Sequence, residues 1–306
     1  MGHRHDHSSA VSRKLVIASV ATILFVVVEV AVGMWAQSLA LIGDAIHNFT
    51  DTLALLLAFV AVRLERRPAT AVKSYGYQRA GVLTAFVNAG ALVALTIYLV
   101  WEAIVRLRTP QPVDSGAMLV TAAAALVLNS AITLWLREAG RHDINIRSAV
   151  LHMLGDAVSS AGIIGAALLI RFTGASYWDA VISLAIAALI LWSSWGVLRE
   201  AINLLLEGTP PSIDPDAVTR AIAGIDGVNG VHHLHIWALG PSRPALSCHL
   251  MVGDVPVKST GNLLSQVNEV LEHDFGIAHT TIQFEFASCD VDDPYCVPYS
   301  DVGRTG

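Results

Sequence analysis

Six stretches of about twenty mostly apolar residues restrict this chain to very few folds. They run over Leu15–Ala36, Leu39–Val62, Val82–Ile104, Ala117–Leu136, Ala149–Arg171 and Tyr177–Leu198. Segments of that length cross a bilayer as helices, because a helix satisfies its own backbone polar groups where no water is present. The first stretch is too long for a signal-peptide core, and no small-residue cleavage site ends it. Composition agrees: 54% of the 306 residues are hydrophobic and only 14% charged, against roughly 45–50% and 25% in soluble domains. That excludes an ordinary soluble enzyme. The net charge of −6 excludes a nucleic-acid binder with a basic face, so no nucleic-acid partner is expected. The three cysteines, Cys248, Cys289 and Cys296, are too few for a disulfide scaffold and fit a reducing compartment or a metal role.

After Leu206 the pattern changes. Pro210 and Pro211 break the helix, and polar residues alternate with apolar ones from there on. Asp214 can cap a helix to about Ala223. Val228–Ala238 and Ala245–Val252 read as strands around a Gly240–Pro241 turn, Asn262–Phe275 as a helix and Thr280–Phe286 as a last strand. The expected fold is therefore an α-helical membrane protein with six transmembrane helices and a cytoplasmic α+β domain of order αββαβ. Its parts are a cytoplasmic, His-containing tail (1–14), a membrane domain (15–206), a soluble domain (207–293) and a loose end (294–306). Eleven Lys and Arg residues flank one side of the spans. They are Arg4, Arg13, Lys14, Arg63, Arg66, Arg67, Lys73, Arg79, Arg137, Arg141 and Arg147. The other side has Arg106, Arg108 and Arg171, so both termini are expected in the cytoplasm.

The chemistry lies in two of the spans. The second holds His47 and Asp51, the fifth His152 and Asp156, each a His-x-x-x-Asp. Residues i and i+4 share a helix face, so two such helices face to face would offer two imidazoles and two carboxylates around one point. That donor set suits tetrahedral Zn2+. Gly43, Ala45, Gly155 and Ala157 would let the helices approach closely. The alternative is a pair of satisfied core histidines. However, an aspartate at the centre of a membrane helix costs about 2.5–3.5 kcal/mol on insertion scales, and two of them, each one turn after a histidine, argue for a function. Asp44 reads as a partner for His47 or as a protonation site. Glu29 and Asn129 read as interhelical packing groups.

These paired motifs resemble the cation diffusion facilitator family in its zinc-transporting branch. Tyr75-Gly76-Tyr77-Gln78-Arg79, Leu206-Glu207-Gly208-Thr209-Pro210 and His232-His233-Leu234-His235-Ile236-Trp237 fit the same resemblance. It implies a homodimer that exports divalent metal against protons, with a metallochaperone-like cytoplasmic domain that binds regulatory zinc. It places the transport site at His47, Asp51, His152 and Asp156. It implies an interface zinc site at His232, His249 and Glu285. His279, Cys289 and Cys296 are a second candidate set, looser than the tight Cys pairs of structural zinc sites. His233 and His235 read as ordinary residues of a half-exposed strand. His3, His5 and His7 read as a flexible tract that either delivers zinc, completes a domain site or plays no energetic part.

Imidazole at position 47 favours zinc over manganese or magnesium, while Cd2+ and Co2+ also fit such a cage. Ligation needs neutral imidazole and ionised carboxylate, so protons and metal compete for the same atoms. Moving Zn2+ out against 100 mV costs about 4.6 kcal/mol, which proton entry offsets in part. No Walker motif is present to bind ATP. A divalent-metal channel is the alternative, and its path would bind weakly at several sites. An intramembrane metalloprotease would need His-Glu-x-x-His, which is absent, and a sensor would not need six spans. The short loops, with no long His-rich insertion, suggest a bacterial inner-membrane protein.

Overall fold

The computed structural model describes residues 3–137, 144–240, 243–254 and 256–286. The elements follow in the order α1 (His3–Trp35), α2 (Leu39–Glu65), α3 (Ala80–Arg108), α4 (Ser115–Arg137), α5 (Ile144–Thr173), α6 (Tyr177–Leu205), α7 (Pro215–Ala223), β1 (Val228–Gly240), β2 (Arg243–Val252), α8 (Val257–Phe275) and β3 (His279–Glu285). They form two compact units, one of Met1–Leu57 and Val87–Leu198, the other of Ala58–Phe86 and Arg199–Gly306.

The first unit is a helical bundle. Among the described residues, five helices are long and apolar enough to cross a membrane, and α1 adds the apolar segment Ser19–Trp35. Large apolar side chains such as Val27, Leu55, Val127 and Trp192 lie exposed on its surface, as a lipid-facing surface requires. Its core joins Leu41 of α2, Leu92 of α3, Met118 and Ala122 of α4, Ile163 and Ala167 of α5 and Ile186 of α6. The turn from α1 to α2 is tight: a Cβ on Gly33 would stand 3.0 Å from Ile42 Cγ1. The start of α2 is held from α6. Asp179 accepts hydrogen bonds from the Ser38 hydroxyl (2.6 Å), the Leu39 amide (2.7 Å) and the Ala40 amide (3.3 Å). A buried carboxylate thus satisfies two amides that a helix N-terminus leaves without partners.

Several boundaries differ from the sequence reading, and two of them have a plain physical cause. The backbone is helical from His3, where a flexible tail was expected, because no proline or glycine stands between His3 and the first apolar turn to stop the helix. The His3, His5 and His7 side chains, and the 294–306 end, lie outside the described residues. Helix α8 starts five residues early, at Val257. Pro256 sits at its N-cap with φ −58°, already the φ of a helical turn, and offsets Gly261, which reads as a breaker.

In the second unit β1 and β2 are antiparallel, β2 and β3 parallel, in the order β1-β2-β3. Asp214 caps α7 by accepting from the Asp216 amide at 3.0 Å. Gly276, at φ 67°, ends α8 in the left-handed conformation that glycine tolerates. Val218, Ile222, Val231, Leu234, Ile236, Leu246, Cys248, Leu250, Val267, Leu271 and Ile277 form one buried core. Cys248 is part of it, and burial pushes its thiol up to about 12. It packs as a small apolar residue rather than serving as a metal ligand. Arg79 bridges Glu207 at 3.2 Å and donates to the Ala238 carbonyl at 3.4 Å, tying the segment before α3 to this domain.

Candidate metal sites

Helix α2 presents His47 and Asp51 one turn apart, and α5 presents His152 and Asp156 in the same way. The four close a circuit. His47 Nδ1 lies 3.5 Å from Asp51 Oδ2, and His47 Nε2 lies 3.8 Å from Asp156 Oδ1. His152 Nε2 lies 3.2 Å from Asp51 Oδ2 and 3.6 Å from Asp156 Oδ2. The two rings meet edge to face, 5.8 Å apart. Four ligands at about 2.0–2.1 Å from a tetrahedral Zn2+ stand about 3.3–3.4 Å from one another; the contacts here use both ring nitrogens of His47 and both oxygens of Asp156, so they gather the four side chains round one place without completing that tetrahedron. One donor atom from each of His47, His152 and Asp156 falls within 4.8 Å of the other two. His47 Nδ1, Asp51 Oδ2 and Asp156 Oδ2 are buried without a hydrogen-bond partner. Buried polar atoms are normally paired, so donors that face one another unpaired fit a cation between them.

Of the four small residues, Ala45 and Ala157 are buried, but the two glycines do not admit a close helix contact. A Cβ on Gly155 would meet nothing within 4 Å, and one on Gly43 would touch Leu99 of α3. Helices α2 and α5 are joined by the Ser159–Asp44 hydrogen bond and by the packing of Leu41 with Ile163 and Ala167.

The second cluster lies on the sheet face away from the core. His232 and His249 are direct cross-strand partners. Glu285 pairs with Met251, two residues beyond His249 on β2, so it stands on the same face. His232 Nε2 lies 3.0 Å from Glu285 Oε2, and His249 Nδ1 lies 3.0 Å from Glu285 Oε1. Neither nitrogen of the buried His232 has a hydrogen-bond partner.

His233 also belongs to this cluster, contrary to its reading as an ordinary strand residue. Between His232 and His235 strand β1 holds one residue more than β2 does. His233 takes φ 50° there, so its ring leaves the alternation, as happens at a β-bulge. It stacks on His249 at 4.7 Å. His232, His233 and His249 each place one donor within 4.8 Å of the others. Desolvation, followed by the charges of His249, His232 and His235, holds the His233 imidazole below its usual value, which keeps it neutral for ligation. The bulge is what brings His233 to the cluster, and no local pattern in the sequence marks a bulge. His235 pairs with Ser247 and is exposed.

The remaining set is not brought together among the described residues. His279 packs edge to face on Tyr75, 5.6 Å away, and Cys289 and Cys296 lie outside the described residues.

A membrane bundle that gathers two imidazoles and two carboxylates with several donor atoms buried unpaired, joined in one chain to a sheet with clustered histidines, is the architecture of a metal-handling membrane protein. Residues 15–206 match the cation efflux transmembrane domain, and residues 210–287 match the cytoplasmic domain of cation efflux proteins. The chain belongs to the cation efflux, or cation diffusion facilitator, family, in its zinc branch. It is 42% identical to the zinc transporter ZitB of Shigella flexneri, across 94% of each chain. It is 37% identical to the metal cation efflux system protein CzcD of Cupriavidus metallidurans, covering 95% of this chain and 92% of that one. It is 36% identical to the cadmium, cobalt and zinc/H(+)-K(+) antiporter of Bacillus subtilis, covering 92% and 91%.

Proposed function

We propose that this chain is a secondary active transporter, not an enzyme, that exports Zn2+ from the cytoplasm in exchange for protons by alternating access. Cd2+ and Co2+ are secondary substrates. The observation that carries the reading is the circuit of His47, Asp51, His152 and Asp156, with buried donor atoms left unpaired. Two nitrogens and two carboxylates suit zinc better than manganese or magnesium. When the site opens to the cytoplasm, metal displaces protons from these groups. When it opens to the far side, protons displace metal, because each ligand must lose its proton to bind.

In this reading residues 15–206 form six spans and both termini are cytoplasmic in a bacterial inner membrane. Residues 207–293 are a dimerisation domain with a metallochaperone-like fold. The dimerisation description of the matched domain family supports a homodimer. His232, His249 and Glu285, with His233, would hold regulatory zinc that steadies one state of the bundle. Their donors fit it, since the buried His232 has no hydrogen bond at either nitrogen and turns Nε2 to within 3.0 Å of Glu285 Oε2.

Uptake of Zn2+ into proteoliposomes tests the assignment. Asp51→Ala and Asp156→Ala should each abolish proton-driven zinc movement. Normal rates in both variants would show that the transport site lies elsewhere.

A further inference from the structure

Beyond the transport site and the Asp179 cap, the described part of the bundle buries two further carboxylates. Glu29 on α1 is 0% exposed, and neither of its oxygens has a hydrogen-bond partner. Asp44 on α2 is 1% exposed. It accepts from the Ser159 hydroxyl of α5 and, at 3.5 Å, from the Asn48 amide. The Glu29 carboxyl faces Asp44 and Asn48, with Asp156 of α5 the next charge, while His47 is the one basic group acting on Asp44. No hydrogen bond links Glu29 to any of the four transport-site residues.

Two carboxylates in an apolar bundle require a compensating positive charge. No Lys or Arg is among the groups acting on this pair. A metal ion or a potassium ion needs space and further oxygens. Both Glu29 oxygens are closed off from solvent, and a proton needs no added space there. We propose that Glu29 and Asp44 form a proton site beside the metal site, holding one proton between them while the four ligands are empty. When a divalent cation arrives, its charge replaces that proton. One carboxyl O–H bond breaks, the proton leaves to water, and the carboxylate stays behind, balanced by the metal. When the metal departs, water on the receiving side returns a proton to the pair. This rests on the exchange reading above and deepens it: part of the coupled proton flux rides on groups that never touch the metal.

Calorimetric zinc titration of the full-length chain in nanodiscs, in two buffers of different ionisation enthalpy, gives the protons released per zinc bound. Glu29→Gln imitates a permanently protonated acid and keeps the shape of the side chain. It should bind the same number of zinc ions and release about one proton fewer, and its transport rate should depend less steeply on pH. Asp44→Asn should do the same, and it carries the test if Glu29→Gln does not fold. Glu29→Asp, which keeps the carboxyl, should release protons as the wild type does. An unchanged proton count in Glu29→Gln and Asp44→Asn, with zinc stoichiometry intact, overturns the proposal. So does a lower thermal midpoint alone, which is what a packing role would give. Asp51→Ala separates the two readings. If it binds as much zinc as the wild type, the transport-site assignment has failed; if it loses zinc while Glu29→Gln releases every proton, only the proton site has failed.

Discussion

Replacing Asp179 by alanine removes the anchor of the helix that carries His47 and Asp51. Its carboxylate receives the Ser38 hydroxyl at 2.6 Å and the Leu39 amide at 2.7 Å, with Ala40 more distant at 3.3 Å. Hydrogen bonds to a charged group contribute about 1.5–3 kcal/mol each. The two short ones therefore amount to about 3–6 kcal/mol, among the largest effects of a single substitution. The freed amides lie in a buried turn, where losing a partner is costly. Asp179→Asn keeps one acceptor oxygen and should lose roughly half as much. Thermal unfolding of the purified chain in micelles measures the loss, and zinc titration shows whether it reaches the metal site. Since Asp179 touches no ligand, the zinc affinity should fall only as far as the start of α2 frays. A midpoint and an affinity both equal to wild type in Asp179→Ala would refute the anchoring role.

Three further outcomes are expected. His47→Asp exchanges a nitrogen donor for oxygen, so competition titrations should show weaker Zn2+ and stronger Mn2+ binding; an unchanged ratio would remove His47 from the ligand set. The folded-state value of His233 lies below its ordinary one, so the unfolded chain takes up a proton that the folded domain refuses. Without metal, stability should therefore decline as pH falls through the ordinary imidazole value of about 6.5, and be regained above it. Trp237 fluorescence during thermal unfolding reads this, and His233→Ala should flatten the slope. Finally, His232→Ala with His249→Ala should abolish the dependence of transport on cytoplasmic-domain zinc; unchanged zinc activation would leave these residues without a regulatory role.

What could be read from the sequence was local and periodic. His47 with Asp51 and His152 with Asp156 are spaced one helical turn apart, so their shared faces needed no tertiary information. The five long spans followed from apolar length alone. The strands of the second unit followed from alternation, although the antiparallel and parallel pairings did not. The features missed depend on distant partners or on departures from regular geometry. Asp179 and Ser38 lie 141 residues apart, and nothing beside either one signals the cap. The place of His233 in the histidine cluster was not legible, because strict alternation turns it toward the core and the extra residue in β1 redirects it. Glu29 reads as a packing group from sequence, and the nearness of Asp44, fifteen positions on in the next helix, is a tertiary feature that a lone acid in a span does not reveal.

Coupling between the two ions is the central claim, and it is best tested by following zinc and pH together inside proteoliposomes after a rapid jump in external zinc. Zinc entering the vesicles should drive protons out at the same rate. An imposed pH gradient of the opposite sense should move zinc uphill, with neither movement in Asp51→Ala. Zinc that flows only down its own gradient, indifferent to the proton gradient, would mean a channel and would contradict the exchange mechanism.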